Sequence, residues 1–441
     1  MMNTPRILFV SSADPLSGPG AIGLNHFNQL REAGLNVDML TLMKVPSHPE
    51  IMYVKERTKW TRIKEYFIWR YKELLGIKDK DTVHLPYCFF YEKENRPPVP
   101  IKQVLKPLKN KQYDLVIIFF WLKMLSYETV EAIYNKFHSV MFFLSPDFCF
   151  MSGGCHFPGD CKGYITGCGC CPAIGSTDKN DFTHWNVNYR KQVLKRIKPV
   201  VFCNSYMLSF FESSLLLKDV KKIKSWPVVD SKSFYPIEKD ILRKKYEIPV
   251  QKEFIIGFGC QRLSDSRKGM SVLMKAFSVL FKSLNETERD KVYIIAAGGE
   301  FDSLKEKIPF DSKGLGMLPF TQLPEFYSLS NIFVCPSLND AGPSMVGQSI
   351  ACGTPVVGFE MGALLDLVKG HGTGICVEVG NATLLAQAMA DFIRMSNEEY
   401  TSYTDRCLRL VSDLTSDKKI QQWMDVYKEE RKKIERNGKD N

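Results

Sequence analysis

Apolar and polar positions along the chain alternate in an order of strands and helices that occurs twice. The first half opens with an apolar run at residues 6–10, passes through a Gly/Pro-rich turn into a helical stripe that ends at Gly34, and continues with an apolar run at residues 37–42. A strand, a turn, a helix and a strand in this order open a doubly wound α/β domain. Further strands are predicted at residues 115–120, 139–144 and 200–203.

The same order restarts after a Pro-containing segment. Four apolar runs predict strands and two helical stripes predict helices: strands at residues 254–258, 292–296, 331–335 and 354–358, and helices at residues 270–284 and 344–351. Two Rossmann-like halves place a ligand cleft at the carboxyl ends of strands. We therefore predict an α/β protein in four parts: a first Rossmann-like domain at residues 1–225, a linker at 226–236, a second Rossmann-like domain at 237–415, and a helix with a polar tail at 416–441.

With 441 residues, 44% of them hydrophobic and 24% charged, the chain has the composition of a globular protein with more than one core. The N-terminus lacks an apolar run of signal-peptide length, and the apolar segment at residues 115–125 is too short to cross a bilayer. These features predict a cytoplasmic protein without a membrane span. The net charge of +10 favours anionic partners such as nucleotide or lipid phosphates, and no nucleic-acid-binding signature is present.

Two loops that follow predicted strands are candidates for phosphate binding. Gly18 and Gly20 lie between a strand and a helix, where glycine lets the backbone approach an anion at the helix N-terminus; an ordinary tight turn is the alternative. The loop after the first strand of the second half carries Arg262, Arg267 and Lys268. Cations at a strand's carboxyl end can neutralise a diphosphate leaving group, although many charge runs are only solvated loops.

The segment at residues 336–358 runs from a strand into a Gly/Pro loop with Asp340 and then into a small-residue helix, whose N-terminus suits a pyrophosphate. This segment resembles the signature of the GT-B glycosyltransferases of family 4: Pro-Ser, an acidic residue, a Gly/Pro loop, a second acidic residue and Ala-Cys-Gly-x-Pro-Val-Val. The segments Asp-Ser-Lys-Ser-Phe-Tyr-Pro at 230–236, Arg-Lys-Gly at 267–269 and Met-Gly-Ala-Leu-Leu-Asp-Leu-Val at 361–368 occur in the same order as in that family.

The resemblance implies a GT-B fold, in which two Rossmann-like domains face each other across a cleft and the C-terminal helix returns toward the first domain. It also implies a retaining transfer of a sugar from a UDP- or GDP-sugar without a catalytic metal. Arg262 and Lys268 would stabilise the diphosphate, and Asp340 would lie by the donor sugar. The positions assigned to donor binding are Gly18, Gly20, Arg267, Gly298, Gly342, Pro343, Ser344, Met345, Val346 and Gln348.

The sequence departs from the family pattern at two of these positions. Asp340 replaces the commoner Glu and is a shorter acid that can still reach a sugar hydroxyl. Gln348 occupies the position of the second acidic residue, which holds the ribose hydroxyls in the family. An amide can bond ribose but forms no charge-assisted pair, so this change predicts weaker donor binding.

Five of the thirteen cysteines fall between residues 153 and 172. Cys155, Cys161, Cys168 and Cys171 are spaced C-x5-C-x6-C-x2-C, and four thiolates on a Gly-rich loop can close a tetrahedral zinc site. An iron–sulfur cluster also uses four cysteines, and two disulfides are a third alternative. A reducing cytosol disfavours disulfides, so zinc is the preferred interpretation.

The cysteine segment also resembles a loop of family 4 enzymes similar to the colanic-acid-type polysaccharide glycosyltransferases, which carry Gly-Gly-Cys-His, spaced cysteines and Cys-Pro. Those enzymes begin this loop with His-Asp, whereas this chain has Pro146-Asp147. The resemblance leaves Asp147 as the catalytic candidate of the first domain, and His156 as a weak substitute that is equally well explained as structural. It implies that the cysteines form a structural clip on the acceptor side.

A basic, aromatic-rich helix is predicted at residues 55–72, a composition typical of helices that lie on anionic membranes. The alternative is a helix whose apolar stripe faces the protein core and whose basic side faces solvent. A membrane contact would suit a lipid-linked oligosaccharide acceptor at the inner face of the cell membrane, as in bacterial surface polysaccharide synthesis. Asp79-Lys-Asp81 matches a metal-binding Asp-x-Asp motif only formally, because it lies in a charged stretch away from any strand end.

Other functions stay open at this point. A nucleotide-sugar epimerase or hydrolase can share the fold. A catalytically silent sugar- or nucleotide-binding scaffold is favoured by Gln348 and by Pro146 in place of histidine. A two-domain sugar-binding transport protein is disfavoured because no secretion signal is present.

Overall fold

A computed structural model of the chain describes residues 4–15, 18–55, 63, 66–68, 70–71, 88–89, 94, 96–225, 231–414 and 416–437. Contacts divide the chain into two compact units. The first unit comprises residues 1–203, 207–224 and 420–441, and the second comprises residues 204–206 and 225–419. The Asp79-Lys-Asp81 motif lies outside the described residues, as does the first part of the predicted linker.

The first unit is built on a seven-stranded sheet whose neighbouring strands are all parallel. The strands in this half of the chain are β1 (Arg6–Ser11), β2 (Asn36–Met43), β3 (Met52–Lys55), β4 (Cys88–Phe89), β5 (Leu115–Phe120), β6 (Val140–Leu144), β7 (Cys155–Phe157), β8 (Val200–Cys203) and β9 (Lys221–Lys224). Their order in the sheet is β3-β2-β1-β5-β6-β8-β9, and β4 and β7 form a separate antiparallel pair. Strands β1, β5 and β6 are continuous apolar runs because both faces of a parallel sheet are covered.

Helices connect these strands, as a parallel sheet requires. They are α1 (Gly18–Glu32), α2 (Ile101–Leu105), α3 (Tyr127–Phe137), α4 (Gly163–Thr166), α5 (Phe182–Ile197) and α6 (Ser205–Ser213). The prediction that Gly18 and Gly20 lie in a loop before the helix is wrong, because α1 already begins at Gly18. Pro19 suits this position, since its fixed φ matches the first helical turn and its missing N–H has no partner there.

The described part of the segment at residues 55–72 is helical at residues 63, 66–68 and 70–71. Its large side chains are open to solvent, with exposed fractions of 64% for Phe67 and 62% for Tyr71. This exposure disfavours the core-facing interpretation of the stripe. Among the helices of the described residues, none is long and apolar enough to cross a membrane.

The second unit contains a six-stranded parallel sheet. Its strands are β10 (Phe254–Arg262), β11 (Val292–Gly299), β12 (Ser312–Gly314), β13 (Ile332–Cys335), β14 (Val356–Phe359) and β15 (Gly374–Val377), in the order β12-β11-β10-β13-β14-β15. The four strands predicted in this half are confirmed, and the short edge strands β12 and β15 were not predicted. Strand β12 (Ser-Lys-Gly) has no apolar run, and β15 (Gly-Ile-Cys-Val) is an apolar run of only three residues that is half-buried throughout.

The helices of the second half are α7 (Lys239–Lys245), α8 (Met270–Ser283), α9 (Glu286–Lys291), α10 (Asp302–Lys305), α11 (Leu323–Leu329), α12 (Ser344–Ala351), α13 (Ala382–Arg394), α14 (Asn397–Asp413) and α15 (Ser416–Asn437). Helix α8 shows how they pack: Leu273, Phe277 and Leu280 recur at helical spacing and are fully buried in the core of the second unit.

The C-terminal helix α15 packs into the first unit. Its apolar side chains belong to the core around β1, β5 and β8: Ile420, Trp423, Met424, Val426 and Tyr427. The ring of Trp423 meets that of Phe202 edge-on at 6.2 Å between centroids. On the surface, Lys221 Nζ donates to Glu429 and Glu430 at 2.8 Å each. The predicted return of this helix to the first domain is therefore confirmed.

A buried ion pair holds the Cys-rich segment of the first unit. The guanidinium of Arg190 on α5 lies 2.5 Å from the carboxylate of Glu94, and both side chains are fully buried. Arg190 Nη1 also donates to the carbonyl oxygens of Cys149 and Ser152, at 3.1 and 2.5 Å. Glu94 accepts in addition from the backbone N of Tyr127 at 2.7 Å. Such a pair is tolerated because hydrogen bonds satisfy both charges.

We expect Arg190→Met to lower the free energy of unfolding of the first unit by about 3–5 kcal/mol, because Glu94 would remain as a buried charge without its partner. The matched control is Arg196→Met on the same helix, whose half-exposed side chain pairs with Glu131. That surface pair contributes about 1 kcal/mol or less. Urea unfolding followed by tryptophan fluorescence measures both losses.

A loss for Arg190→Met no larger than that of the control would contradict this role. The double variant Arg190→Met/Glu94→Met separates the ion pair from simple packing. It removes both charges at once and should recover part of the lost stability.

Candidate functional site

The sheet of the second unit changes direction between β10 and β13. Connections from β10 lead outward to β11 and β12, and connections from β13 lead outward to β14 and β15, so a crevice is left at the carboxyl ends of the two central strands. Ligands of open α/β sheets bind at such a switch point. The loops that leave β10 and β13 carry most of the predicted site residues.

Two of these residues, Lys268 and Asp340, are in direct contact. Lys268 Nζ donates to Asp340 Oδ2, and Asp340 Oδ1 accepts from the backbone N of Gly342 at 3.2 Å. Both side chains are mostly buried. Burial lowers the pKa of Lys268, but the charge of Asp340 and the hydrogen bond to it outweigh burial, so the pKa is raised overall. Lys268 is therefore a fixed cation at the switch point.

The two loops are held together by backbone contacts. Leu338 N and Asn339 N both donate to the carbonyl oxygen of Arg267, at 2.7 and 3.3 Å. Gly269 has a φ of +69°, and a Cβ atom there would lie 1.9 Å from the carbonyl oxygen of Pro336. Only glycine fits this position, because both the backbone conformation and the close approach exclude a side chain.

The other predicted cations lie nearby. The Arg267 guanidinium pairs with Asp265 Oδ2 at 2.6 Å, so its charge is balanced locally by a residue that sequence reasoning missed. Arg262 ends β10, is exposed, and lies opposite Gly299 of β11 in register. Gly298, another predicted site residue, directly precedes Gly299 in β11.

The loop after β13 ends at Pro343, and helix α12 begins at Ser344. Met345 is half-buried on the first turn. Val346 is fully buried in the core, and its backbone N donates to Pro343 O at 3.1 Å. The side chain of Val346 therefore serves packing, whereas Gly342, Pro343 and Ser344 lie on the loop side of the helix.

Gln348 has a partner that the sequence did not reveal. Tyr327 Oη donates to Gln348 Oε1 at 2.8 Å, and Tyr327 is fully buried on α11. Burial raises the pKa of Tyr327 far above its ordinary value, so its hydroxyl stays protonated and acts as a donor. This bond orients the amide of Gln348, and its Nε2 amino group is a donor that a ligand could use.

The first sheet has its own change of direction, between β1 and β5. Ser11 ends β1 and Ser12 follows it, and their hydroxyls are buried without a hydrogen-bond partner among the described residues. Gly20 lies close by in the chain, where a Cβ atom would be 1.8 Å from the carbonyl oxygen of Asp14. Sequence reasoning selected Gly18 and Gly20 but missed the two serines, whose only signal is their place at the end of an apolar strand.

The four predicted zinc ligands lie in the first unit. Cys161 and Cys168 approach each other around Gly163, and each sulfur accepts a backbone N–H at 3.4 Å, from Gly163 and Gly153 respectively. Burial raises the pKa of Cys168 to about 11, and the thiols of Cys171 and Cys161 add to this shift. Cys155 is buried on β7.

A different set of side chains converges in the first unit. Asp147 Oδ2 lies 2.5 Å from His156 Nδ1, Asp147 Oδ1 accepts from the backbone N of Cys149 at 2.7 Å, and all three residues are buried. Burial, and then the charge of Asp147, raise the pKa of the Cys149 thiol. The sequence analysis selected Asp147 and considered His156, but it did not select Cys149.

Comparison with known proteins adds to this geometry. Residues 238–406 match the family described as "Glycosyl transferases group 1". The chain is 22% identical over 223 residues to the N-acetyl-alpha-D-glucosaminyl L-malate synthase of Bacillus anthracis, covering 49% of this chain and 56% of that protein. It therefore spans about half the length of this curated relative.

Two solved structures are similar over nearly the whole chain. HepE of Anabaena, in complex with UDP and glucose, has a TM-score of 0.62 at 13% identity and covers 96% of this chain and 100% of its own. WaaG, a glycosyltransferase involved in lipopolysaccharide biosynthesis, has a TM-score of 0.58 at 13% identity and covers 93% and 96% of the two chains. At such low identity these likenesses show the fold, and they confirm the predicted GT-B class of two Rossmann-like domains. Residues 238–406 thus match the group 1 glycosyltransferase family within a chain of GT-B fold.

Proposed function

We propose that this chain is a retaining glycosyltransferase that moves a sugar from a nucleotide-diphosphate sugar to a saccharide acceptor. The observation that carries the proposal is the contact between Lys268 and Asp340 at the switch point of the group 1 domain. A cation and a carboxylate at the ends of adjacent central strands suit the two parts of a nucleotide sugar, the diphosphate and the sugar hydroxyls. The similar fold of HepE, which was solved with UDP and glucose, supports this class of donor.

The proposed chemistry uses protein cations in place of a catalytic metal. The diphosphate of the donor takes over Lys268 from Asp340 and also engages Arg262, which is exposed at the end of β10. Negative charge grows on the leaving diphosphate as the sugar departs, and fixed cations stabilise that charge without reorganising. Asp340, released from Lys268, accepts a hydrogen bond from a hydroxyl of the donor sugar.

Donor recognition beyond the phosphates falls to the loop and helix that follow β13. The backbone at Gly342, Pro343, Ser344 and Met345 lies at the start of α12, where a helix N-terminus favours an anion. Gln348 is proposed to donate to the ribose through Nε2, because its oxygen already accepts a hydrogen bond from Tyr327 Oη. The nucleotide is UDP or GDP.

The proposed acceptor is a lipid-linked oligosaccharide in bacterial surface polysaccharide synthesis, bound at the inner face of the membrane. Support comes from the exposed large apolar side chains of the helical residues Tyr66, Phe67, Ile68 and Tyr71, which lie in a basic stretch of sequence. The fold likeness to WaaG, described as acting in lipopolysaccharide biosynthesis, points the same way.

The cysteine loop is proposed to be a structural zinc clip built by Cys155, Cys161, Cys168 and Cys171. The backbone N–H groups of Gly163 and Gly153 donate to the sulfurs of Cys161 and Cys168, respectively. Such hydrogen bonds favour the thiolate form of a cysteine. Cys168 itself has a φ of +59°, a strained conformation for a side-chain-bearing residue that a bound metal would explain. No three of these four sulfurs lie within 4.8 Å of one another in the described part of the chain, so the loop would have to close around the ion; an iron–sulfur cluster is the alternative for the same four ligands.

A catalytically silent nucleotide-binding scaffold is the second candidate, and Gln348 is the observation that favours it. Its amide, with the oxygen bonded to Tyr327, cannot offer the carboxylate that the family uses for ribose. Release of free nucleoside diphosphate from a donor sugar in the presence of acceptor distinguishes a transferase from a scaffold.

We expect Lys268→Ala to weaken binding of UDP or GDP by about 10–100-fold, because a charge-assisted contact contributes about 1.5–3 kcal/mol. Lys275→Ala, an exposed lysine on α8, is the matched control and should bind as the unmodified protein does. Isothermal titration with UDP, GDP and their sugar conjugates measures the constants. Equal binding by Lys268→Ala and the control would remove the diphosphate role of Lys268.

Gln348→Glu tests the departure from the family pattern. A carboxylate can keep the bond from Tyr327 Oη and still accept from a ribose hydroxyl, so we expect nucleotide binding several-fold tighter. Gln348→Ala should bind more weakly than the unmodified protein. The same titrations apply, and a weaker or unchanged constant for Gln348→Glu would show that ribose is not held at this position.

The proposed membrane contact predicts that the protein sediments together with lipid vesicles. The protein should bind vesicles that contain anionic lipid and leave neutral vesicles unbound. Tyr66→Ser/Phe67→Ser should reduce binding about tenfold or more, since burying one large apolar side chain contributes about 1.5–3 kcal/mol. Trp185→Ser, which changes an exposed aromatic residue on α5, is the control. Equal sedimentation of the two variants would argue against this surface as the contact.

A further inference from the structure

Asp147, Cys149 and His156 form a compact group of three different metal-ligating side chains in the first unit. One ligand atom from each residue lies within 4.8 Å of the other two. Their exposed fractions are 5%, 2% and 2%, so the group is enclosed by protein. Among the described residues, no other group of three such side chains meets the same distance.

The distances suit a metal ion after a small rearrangement. A tetrahedral zinc site with bonds of about 2.0–2.3 Å sets its ligand atoms about 3.3–3.6 Å apart. The contact between Asp147 Oδ2 and His156 Nδ1 is 2.5 Å and would open by about 1 Å to admit an ion between the two atoms. The Cys149 sulfur already lies within reach of both.

Surrounding hydrogen bonds orient the ligands, as they do around metal sites generally. Cys149 N donates to Asp147 Oδ1, which leaves Oδ2 for the ion. Phe148 N donates to His156 O at 3.1 Å, so the chain segments that carry the ligands are tied to each other. Arg190 fixes the next turn through the Cys149 carbonyl oxygen.

Charge balance also favours a divalent cation. The carboxylate of Asp147, the thiolate of Cys149 and a neutral His156 together carry two negative charges, so a bound Zn²⁺ brings the buried group to zero net charge. A thiolate with an imidazole and one carboxylate is a donor set that selects zinc over calcium or magnesium, which prefer oxygen ligands alone.

We propose that Asp147, Cys149 and His156 bind one Zn²⁺ ion per chain, at a site separate from the four-cysteine loop. The three side chains leave one tetrahedral position, which a water molecule can fill. The ion ties the segment after β6 to β7 and supports the fold of the first unit. This inference does not depend on the proposed sugar transfer.

Metal content measured by mass spectrometry tests the proposal. The full chain, expressed with zinc and dialysed, should lose one equivalent in each of Asp147→Asn, Cys149→Ser and His156→Asn. Cys203→Ser, an equally buried cysteine of the same unit, is the matched control and should keep the full content. Unchanged zinc in all three variants would overturn the proposal.

Cobalt substitution covers the case in which these variants fail to fold. In Cys161→Ser/Cys168→Ser, which removes two ligands of the cysteine loop, Co²⁺ should still bind with one equivalent. Its sulfur-to-metal charge-transfer band should have the intensity of a single thiolate. Absence of bound cobalt in that folded variant, or a band of several thiolates, would overturn the site. This readout is independent of glycosyltransferase activity, so the two proposals can fail separately.

Discussion

The buried ion pair of Arg190 and Glu94 is the interaction on which the Cys-rich part of the first unit depends. The buried residues 149–152 lead directly into the Gly- and Cys-rich segment at residues 153–172. The guanidinium of Arg190 donates to the carbonyl oxygens of Cys149 and Ser152, and Glu94 balances its charge while accepting from Tyr127 N at the start of α3. Arginine suits this role because its planar fork presents several donors at once.

A second constraint, the parallel order of the strands, determines where chemistry can occur in the second unit. Parallel strands all end at one edge, so residues that follow β10 and β13 meet whatever their distance in sequence. Lys268 and Asp340 are 72 positions apart and still pair. Gly269 permits this meeting, since any side chain there would strike the backbone of Pro336. The position of the site thus follows from topology, and its polarity follows from the loops.

The order of the strands also explains which parts of the site the sequence could predict. Strand runs and the resemblance to family 4 pointed to Lys268 and Asp340, because position at a strand's end needs only the order of elements. The bond from Tyr327 to Gln348 depends on how α11 packs against α12, which no periodicity reveals. The convergence of Cys149 with His156 likewise depends on a chain reversal, whereas spacing rules for metal sites favoured the regular cysteines. Side-chain pairing across elements is therefore the part that required a structure.

Under the proposed mechanism, the two departures from the family pattern would act on donor binding in the same direction. The short side chain of Asp340 holds Lys268 in the absence of ligand, so a diphosphate must displace a carboxylate to reach that cation. Gln348 offers ribose an amide where a carboxylate would bind more strongly. Weaker ground-state binding need not slow the chemical step, because catalysis depends on interactions that strengthen in the transition state. The proposed exchange of Lys268 from Asp340 to a departing diphosphate would be such an interaction, because it strengthens as charge develops on the leaving group.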